Sequence, residues 1–455
     1  MKKFRFEKAW TPQGWASEFS VTVDDQGYIS NIGDDDDHAE PVRGLVLPGF
    51  ANLHSHAFQR AVAGLTEHRQ SGEGDTFWTW RKVMHRFVQA VTPEDQEAIA
   101  TQLYVEMLKA GYTAVGEFHY LHGDPSGAAY ADPAEMSWRI AAAAGRAGIG
   151  LTLLPVLYSV GGYGGVEINA GQRRFILETT VFLDLIRALR AEFDGDPQLR
   201  VGIAPHSVRQ VPAEQLRDCL AGIAEIDAGA PIHIHVAEQI RDVEEHLRWA
   251  GARPVDWLLD NAEINDRWCL VHATHMTADE TRRLAATDAV AGLCPTTEAN
   301  LGDGLFPLAD YLEAGGRWGI GSDCNISISV IEELRWLEYG QRLISHSRNV
   351  ASTGVGASTG ACLVSGALSG GAQALGRPIG AIQAGQRADF VVLDADALRF
   401  HGRDEAQWLD AVVFADGPNP IRDVMVGGEW VIRDGHHADE IEIEQAFRAA
   451  IDRLG

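Results

Sequence analysis

The sequence predicts an α/β chain organised around a distorted (β/α)8 TIM barrel, with β-rich segments at both ends. Three observations carry that expectation. From about Leu47 to about Gly376, short apolar strands alternate with longer Ala/Leu/Arg/Glu-rich stretches of helical period, the pattern of repeated βα units. Eight strand candidates can be counted there, as a closed eight-stranded barrel requires. Residues able to do chemistry fall at the carboxyl ends of those candidates, where barrel enzymes gather their sites. A doubly wound open sheet is the alternative, but it would hold its first and last strands far apart.

Taken in order, the first 47 residues read as strands Lys2 to Ala9, Ser17 to Val23 and Tyr28 to Ile32, with Asp24 to Gly27 as the turn between the last two and Asp34 to Asp37 as a solvated acidic loop. The barrel candidates follow: Leu47 to His56, Tyr112 to Phe118, Gly150 to Leu157, Arg200 to His206, Pro231 to Val236, Trp268 to His272, Ala289 to Cys294 and Arg317 to Asp323. Strand-like segments then resume at Ala388 to Leu393, Ala411 to Phe414 and Ile421 to Ile432, the last with Gly427-Gly428 as a hairpin turn. These limits predict a small domain from residues 1–47 and 377–455 around a barrel of residues 48–376.

Composition narrows the function. The 455 residues carry 38 Lys plus Arg against 64 Asp plus Glu, a net charge of −26 that would repel a phosphate backbone and excludes nucleic acid as a partner. At 45% hydrophobic and 22% charged, the chain has the composition of a soluble globular protein. It offers no signal-like apolar stretch after the basic N-terminus and no apolar run of about 18 residues, which predicts a cytoplasmic protein without a membrane span. Five scattered cysteines without a CxxC pair argue against a disulfide framework and a thiolate zinc site. A metal would have to be held by His and carboxylate.

The strand ends supply such groups. His54-Ser55-His56 places two imidazoles at i and i+2, on one face of a strand, where they can grip one ion. Glu117 and His119 close the second candidate strand, His206 the fourth, His235 with Glu238 the fifth, His272 the sixth and Asp323 the eighth. By spacing alone His233 shares the face of His235 and either could ligate; the strand-end position and the following x-x-Glu favour His235.

The ordered set of Pro48-Gly49-Phe50 leading into HxH, His-x-x-Glu at 235 and 238, His272 and Gly321-Ser322-Asp323 resembles the amidohydrolase superfamily, in particular its mononuclear-zinc deaminase branch. The resemblance covers nearly the whole chain, and implies that the two ends join in a small β-sandwich. It implies His54, His56, His235 and Asp323 as metal ligands, and Glu238, His272 and Asp323 as catalytic acid/base groups. Dinuclear relatives place a carbamylated lysine at the fourth strand; Ile203-Ala204-Pro205-His206 stands there instead, which predicts one zinc ion, with iron or manganese able to fill the same cage. Such a site lowers the pKa of a bound water to about 7.

Within that branch, NLHSHAFQR from Asn52, FWTWR from Phe77, EFHY from Glu117, PHSVR from Pro205 and CPTTEANLGDG from Cys294 resemble the members that hydrolyse N-formimino-L-glutamate to its N-formyl product and ammonia. A substrate with two carboxylates needs local cations of planar fork geometry, for which Arg81 and Arg209 are the candidates. The resemblance adds Gln59, Tyr120 and His206 as substrate-binding residues and a homodimer as the assembly. Cys324, where relatives more often carry a small hydroxyl residue, is a departure that removes no ligand. The rival readings are a nucleobase or nucleoside deaminase of the same branch and a non-catalytic metal-binding barrel. Ordinary roles are expected for His119 and His122 as loop or supporting residues, for His68, His85, His246, His275 and His346 as surface or packing residues, for Trp78 and Trp80 as core, for Gly161 to Gly165 as a loop over the barrel mouth, and for His436-His437 as a polar turn.

Overall fold

The computed structural model describes residues 1–33, 38–69 and 75–455, so the acidic run Asp34 to Asp37 lies outside the described residues. The chain opens with β1 (Lys2–Thr11), β2 (Gly14–Val23), β3 (Ile29–Ile32) and β4 (Glu40–Pro48). In β1 the buried Phe4 and Phe6 alternate with the exposed or half-exposed Lys3, Arg5 and Glu7, so one face packs and the other meets water.

The barrel strands are β5 (Phe50–Ser55), β6 (Tyr112–His119), β7 (Gly150–Leu157), β8 (Leu199–Val201), β9 (Ala204–Pro205), β10 (Ile232–Val236), β11 (Trp268–His272), β12 (Val290–Leu293) and β13 (Arg317–Ile320). All of their pairings are parallel. Every residue of β6 and β7 is buried, as expected of strands covered on both faces. The fourth predicted strand is broken into β8 and β9 at Gly202, where a Cβ would meet the Pro231 carbonyl oxygen at 2.6 Å. Isolated parallel bridges, Ile203 to Ile232 and Ser55 to Asp323, join the two runs of strands at both seams. The second seam is held by Asp323 N donating to His54 O at 2.9 Å and His56 N donating to Asp323 O at 3.1 Å. First and last strands are thus neighbours, which brings His54, His56 and Asp323 to one place.

At the other end, β14 (Phe390–Leu393) lies antiparallel to β4, followed by β15 (Ile421–Val426), β16 (Glu429–Arg433) and β17 (His436–His437). The two chain ends therefore join in one eight-stranded sheet, in the order β17-β16-β15-β14-β4-β1-β2-β3, with strands of both ends in its middle. Its core holds Phe4, Phe6, Val21, Val46, Phe390 and Met425, with the Phe6 and Phe390 rings edge to face at 5.0 Å.

Two expectations need correction here. Ala411 to Phe414 is the last turn of a helix, Glu405–Phe414, and not a strand. A capping box between Asp404 and Gln407 starts that helix, and a four-residue apolar run cannot by itself distinguish a strand from a buried helix face. His436-His437 pairs with Ile432 and Arg433 as a short strand and is not a turn. Among the described residues no helix is long and apolar enough to cross a membrane.

The long connection after β5 carries the helix Phe77–Val88, started by a capping box between Thr76 and Thr79. It lies against the carboxyl end of the barrel, and its Phe77, Trp80, Arg81, Met84 and His85 face the same cavity as the strand-end histidines.

Candidate active site

Four side chains from three parts of the barrel rim converge. One ligand atom each of His54, His56, His235 and Asp323 lies within 4.8 Å of the others, and all four residues are buried. Asp323 Oδ1 stands 3.3 Å from His56 Nε2 and 3.5 Å from His54 Nε2. His235 Nε2 and His54 Nε2 are 3.1 Å apart. The other ring nitrogens set the tautomers: His56 Nδ1 faces the Phe118 carbonyl at 2.9 Å and His235 Nδ1 faces the His206 carbonyl at 3.1 Å. A carbonyl only accepts, so both Nδ1 atoms carry the proton and both Nε2 lone pairs point inward.

Charge reinforces this. Burial lowers the pKa of His54 to about 3 and pushes those of His56 and His235 down as well, so the imidazoles are neutral. Inward lone pairs and a carboxylate at these distances repel one another unless a cation lies among them. The donor set therefore fits one divalent ion of nitrogen and oxygen preference.

The backbone at the strand ends is bent to aim these groups. His272 (φ 68°), Asp323 (φ 46°) and Asn325 (φ 56°) all adopt left-handed conformations, which cost non-glycine residues and concentrate at functional sites. Asn325 secures its own turn: its Nδ2 donates to Asp323 O at 2.9 Å and His56 O at 3.1 Å, while its Oδ1 accepts from Ser322 Oγ at 2.6 Å.

His272 Nε2 lies 3.7 Å from Asp323 Oδ2 and 3.9 Å from Glu238 Oε1. Its Nδ1 faces Glu298 Oε1 at 3.3 Å. Burial lowers the His272 pKa, but the carboxylates of Glu238, Glu298 and Asp323 outweigh it and raise the imidazole to about 10. Burial raises Glu238 to about 7. These two groups therefore face each other across the mouth of the metal cluster with their proton affinities shifted toward neutral pH and above.

A cavity contains His56, His235, Glu238, His272 and Asp323 in its wall together with Gln59, Arg81, Tyr120, His206 and Arg209. Gln59 Nε2 donates to Tyr120 Oη at 2.7 Å. His206 packs edge to face on Tyr158 at 4.7 Å. Arg209 is buried and ion-paired with Asp242, and its Nε donates to Gln210 Oε1 at 3.1 Å. Arg81 Nη2 donates to Tyr158 Oη at 3.0 Å and its Nε to His85 Nε2 at 3.3 Å. Among the described residues no carboxylate lies within ion-pair distance of Arg81.

Some site residues escaped the sequence reading. His85, expected at the surface or in ordinary packing, faces the cavity beside Arg81, and burial with that neighbouring cation lowers its pKa to about 3. Trp80, expected in the core, also lines the cavity, as do Phe77, Tyr158, Phe175 and Cys324. Glu298 had a signal in the CPTTE stretch but no assigned role. Other residues lie apart. His233, on the same strand face as His235 but deeper, bonds the Ala374 carbonyl at 2.8 Å. Glu117 accepts from Ala57 N at 2.6 Å and Tyr104 Oη at 3.2 Å, bracing the turn after HxH. His272, Cys294 and Asp323 form a second convergent group, but burial pushes the Cys294 thiol well above its ordinary pKa and disfavours the thiolate a metal would need.

Residues 45–431 match the model of the amidohydrolase family. The chain is 50% identical over 451 residues to formimidoylglutamate deiminase of Pseudomonas aeruginosa, covering 99% of this chain and 98% of that one. Among solved structures, an amidohydrolase from Brucella melitensis superposes with a TM-score of 0.93 at 44% identity over the full length of both chains. An adenosine deaminase from Xanthomonas campestris with bound zinc superposes at a TM-score of 0.80 with 20% identity over 99% of this chain and 98% of that one, a likeness of fold.

Proposed function

The chain belongs to the amidohydrolase family, and from that premise we propose that it hydrolyses the C=N bond of N-formimino-L-glutamate, giving N-formyl-L-glutamate and ammonia in histidine degradation. The observation that carries this reading is a single cavity with a metal-type cluster of His and Asp in one wall and two guanidiniums, Arg81 and Arg209, in another. The first serves C=N hydrolysis and the second serves a substrate with two carboxylates. The full-length relationship to a formimidoylglutamate deiminase supports it.

His54, His56, His235 and Asp323 would hold one zinc ion; a solved structure of the same fold carries bound zinc. Zinc in such a cage supplies Lewis acidity, bringing the pKa of a water down to about 7. The protein's groups do the rest. Arg81 and Arg209 take the substrate carboxylates, and Gln59, Tyr120 and His206 complete the hydrogen bonds. As water adds to the formimino carbon, Asp323 takes its proton, while His272, which the carboxylates around it keep protonated, donates a hydrogen bond to the new oxygen. Glu238, raised to about 7, gives one proton to the substrate nitrogen as water adds; as the C–N bond breaks it carries the hydroxyl proton of the tetrahedral carbon to the same nitrogen, which leaves as ammonia, and the proton held by Asp323 then restores the acid. A cytoplasmic location and a homodimer belong to the same reading, the former supported by five free cysteines, the latter by the exposed Trp336, Tyr339, Leu343 and Ile344 along one helix.

Metal-loaded protein incubated with N-formimino-L-glutamate should release ammonia and N-formyl-L-glutamate together. Turnover of a purine or pyrimidine alone, or of neither, would replace this reading. Arg81→Ala should raise KM by about 10- to 100-fold with a smaller change in kcat, the loss of one charge-assisted contact. It is a cleaner probe than Arg209→Ala, which also strands the buried carboxylate of Asp242. An unchanged kcat/KM for Arg81→Ala would remove that residue from the pocket.

A further inference from the structure

One indole stands among three guanidiniums, two of which, Arg81 and Arg209, line the cavity. The Trp78 ring centroid lies 4.4 Å from the guanidinium carbon of Arg241, 5.5 Å from that of Arg209 and 5.6 Å from that of Arg81. Arg209 has Asp242 as its carboxylate partner and Arg241 has Glu245, whereas Arg81 has only Tyr158 and His85 as hydrogen-bond partners among the described residues. Three like charges gathered this closely repel, and neither carboxylate lies within ion-pair distance of Arg81. The negative face of an indole attracts cations without cancelling their charge, so it can hold guanidiniums together and still leave them able to bind anions.

We propose that Trp78 is a positioning residue that determines specificity: its ring holds Arg81 and Arg209 at the spacing that receives a dicarboxylate, and with Arg241 it makes a cationic mouth on a chain of net charge −26. A carboxylate in place of the indole would bind the arginines more firmly but would compete with the substrate. The inference rests on the proposed function. It also explains why Trp78, one turn before Arg81 on the helix Phe77–Val88, has three guanidiniums around its ring.

The test uses zinc-loaded full-length protein, N-formimino-L-glutamate as substrate, and glutarate and butyrate as dicarboxylate and monocarboxylate competitors. Trp78→Leu should raise KM and the glutarate inhibition constant by about 10-fold, the scale of a desolvated cation–π contact, with kcat changed by less than about 2-fold and butyrate inhibition altered less than glutarate inhibition. Trp78→Phe, which keeps an aromatic face, should stay within about 3-fold of wild type. The proposal falls if Trp78→Leu matches wild type in both constants, if kcat alone drops, or if the Phe variant is as impaired as the Leu variant. Should wild type leave N-formimino-L-glutamate untouched, the proposed function falls by itself, and glutarate against butyrate binding by calorimetry still decides the role of Trp78.

Discussion

Glu238→Gln should keep its metal and turn over N-formimino-L-glutamate about 1,000-fold more slowly than wild type. Glutamine has nearly the same shape and can still hydrogen-bond, but it has no acidic proton to give, and a positioned acid/base group contributes about 100- to 10,000-fold. Glu238 stands apart from the four convergent donors, with His272 between it and Asp323 at 3.9 and 3.7 Å, so the metal content measured by elemental analysis should not change. The pH profile adds a second reading. Burial raises the Glu238 carboxyl to about 7, so it is protonated below that pH and loses its proton above it. As the proton donor it should give kcat/KM an alkaline limb near neutrality that falls about tenfold per pH unit, and the residual activity of Glu238→Gln should lack that limb. Loss of the ion in this variant would show that Glu238 ligates, and a profile unchanged by the substitution would move the donor role elsewhere.

What could be read in the sequence and what could not divide along a physical line. His54 and His56 were legible because a strand's two-residue repeat puts i and i+2 on one face, and Asp323 because a closed barrel makes its first and last strands neighbours. The β-rich ends were legible from alternation, as in Phe4, Arg5 and Phe6, but Ala411 to Phe414 was not, because an unbroken apolar run has no period to read. His85, Trp80 and Tyr158 were hidden for a different reason. The amphipathic pattern of Phe77–Val88 says that this helix packs, but only its docking across the barrel mouth turns Trp80 and His85 toward the metal cluster. Likewise the pairing of Arg209 with Asp242, 33 residues away, follows from a βα loop meeting the first turn of the helix Ile240–Ala250, and among the described residues it leaves Arg81 as the cavity guanidinium without a carboxylate partner.

His235→Ala and His233→Ala should separate completely, although the two residues share one face of β10. His235 sits at the strand end with its Nε2 facing His54 at 3.1 Å and its Nδ1 tied to the His206 carbonyl. Removing it takes one of the four proposed ligands, so zinc affinity should fall by more than about 100-fold, beyond the cost of losing a ligand's outer hydrogen-bond partner, and turnover should fall to background. The thermal stability that zinc adds to wild type, lost on treatment with a chelator, should be absent from this variant from the start. His233 lies deeper and bonds the carbonyl of Ala374, in the last turn of the helix Thr359–Leu375. Its replacement leaves that buried acceptor unpaired and opens a void, so the expected cost is about 1 to 3 kcal/mol of stability in urea unfolding, with the zinc content of the folded protein unchanged. The opposite pattern, zinc lost from His233→Ala and kept by His235→Ala, would shift the metal one layer down the barrel and take Glu238 and His272 out of reach of it.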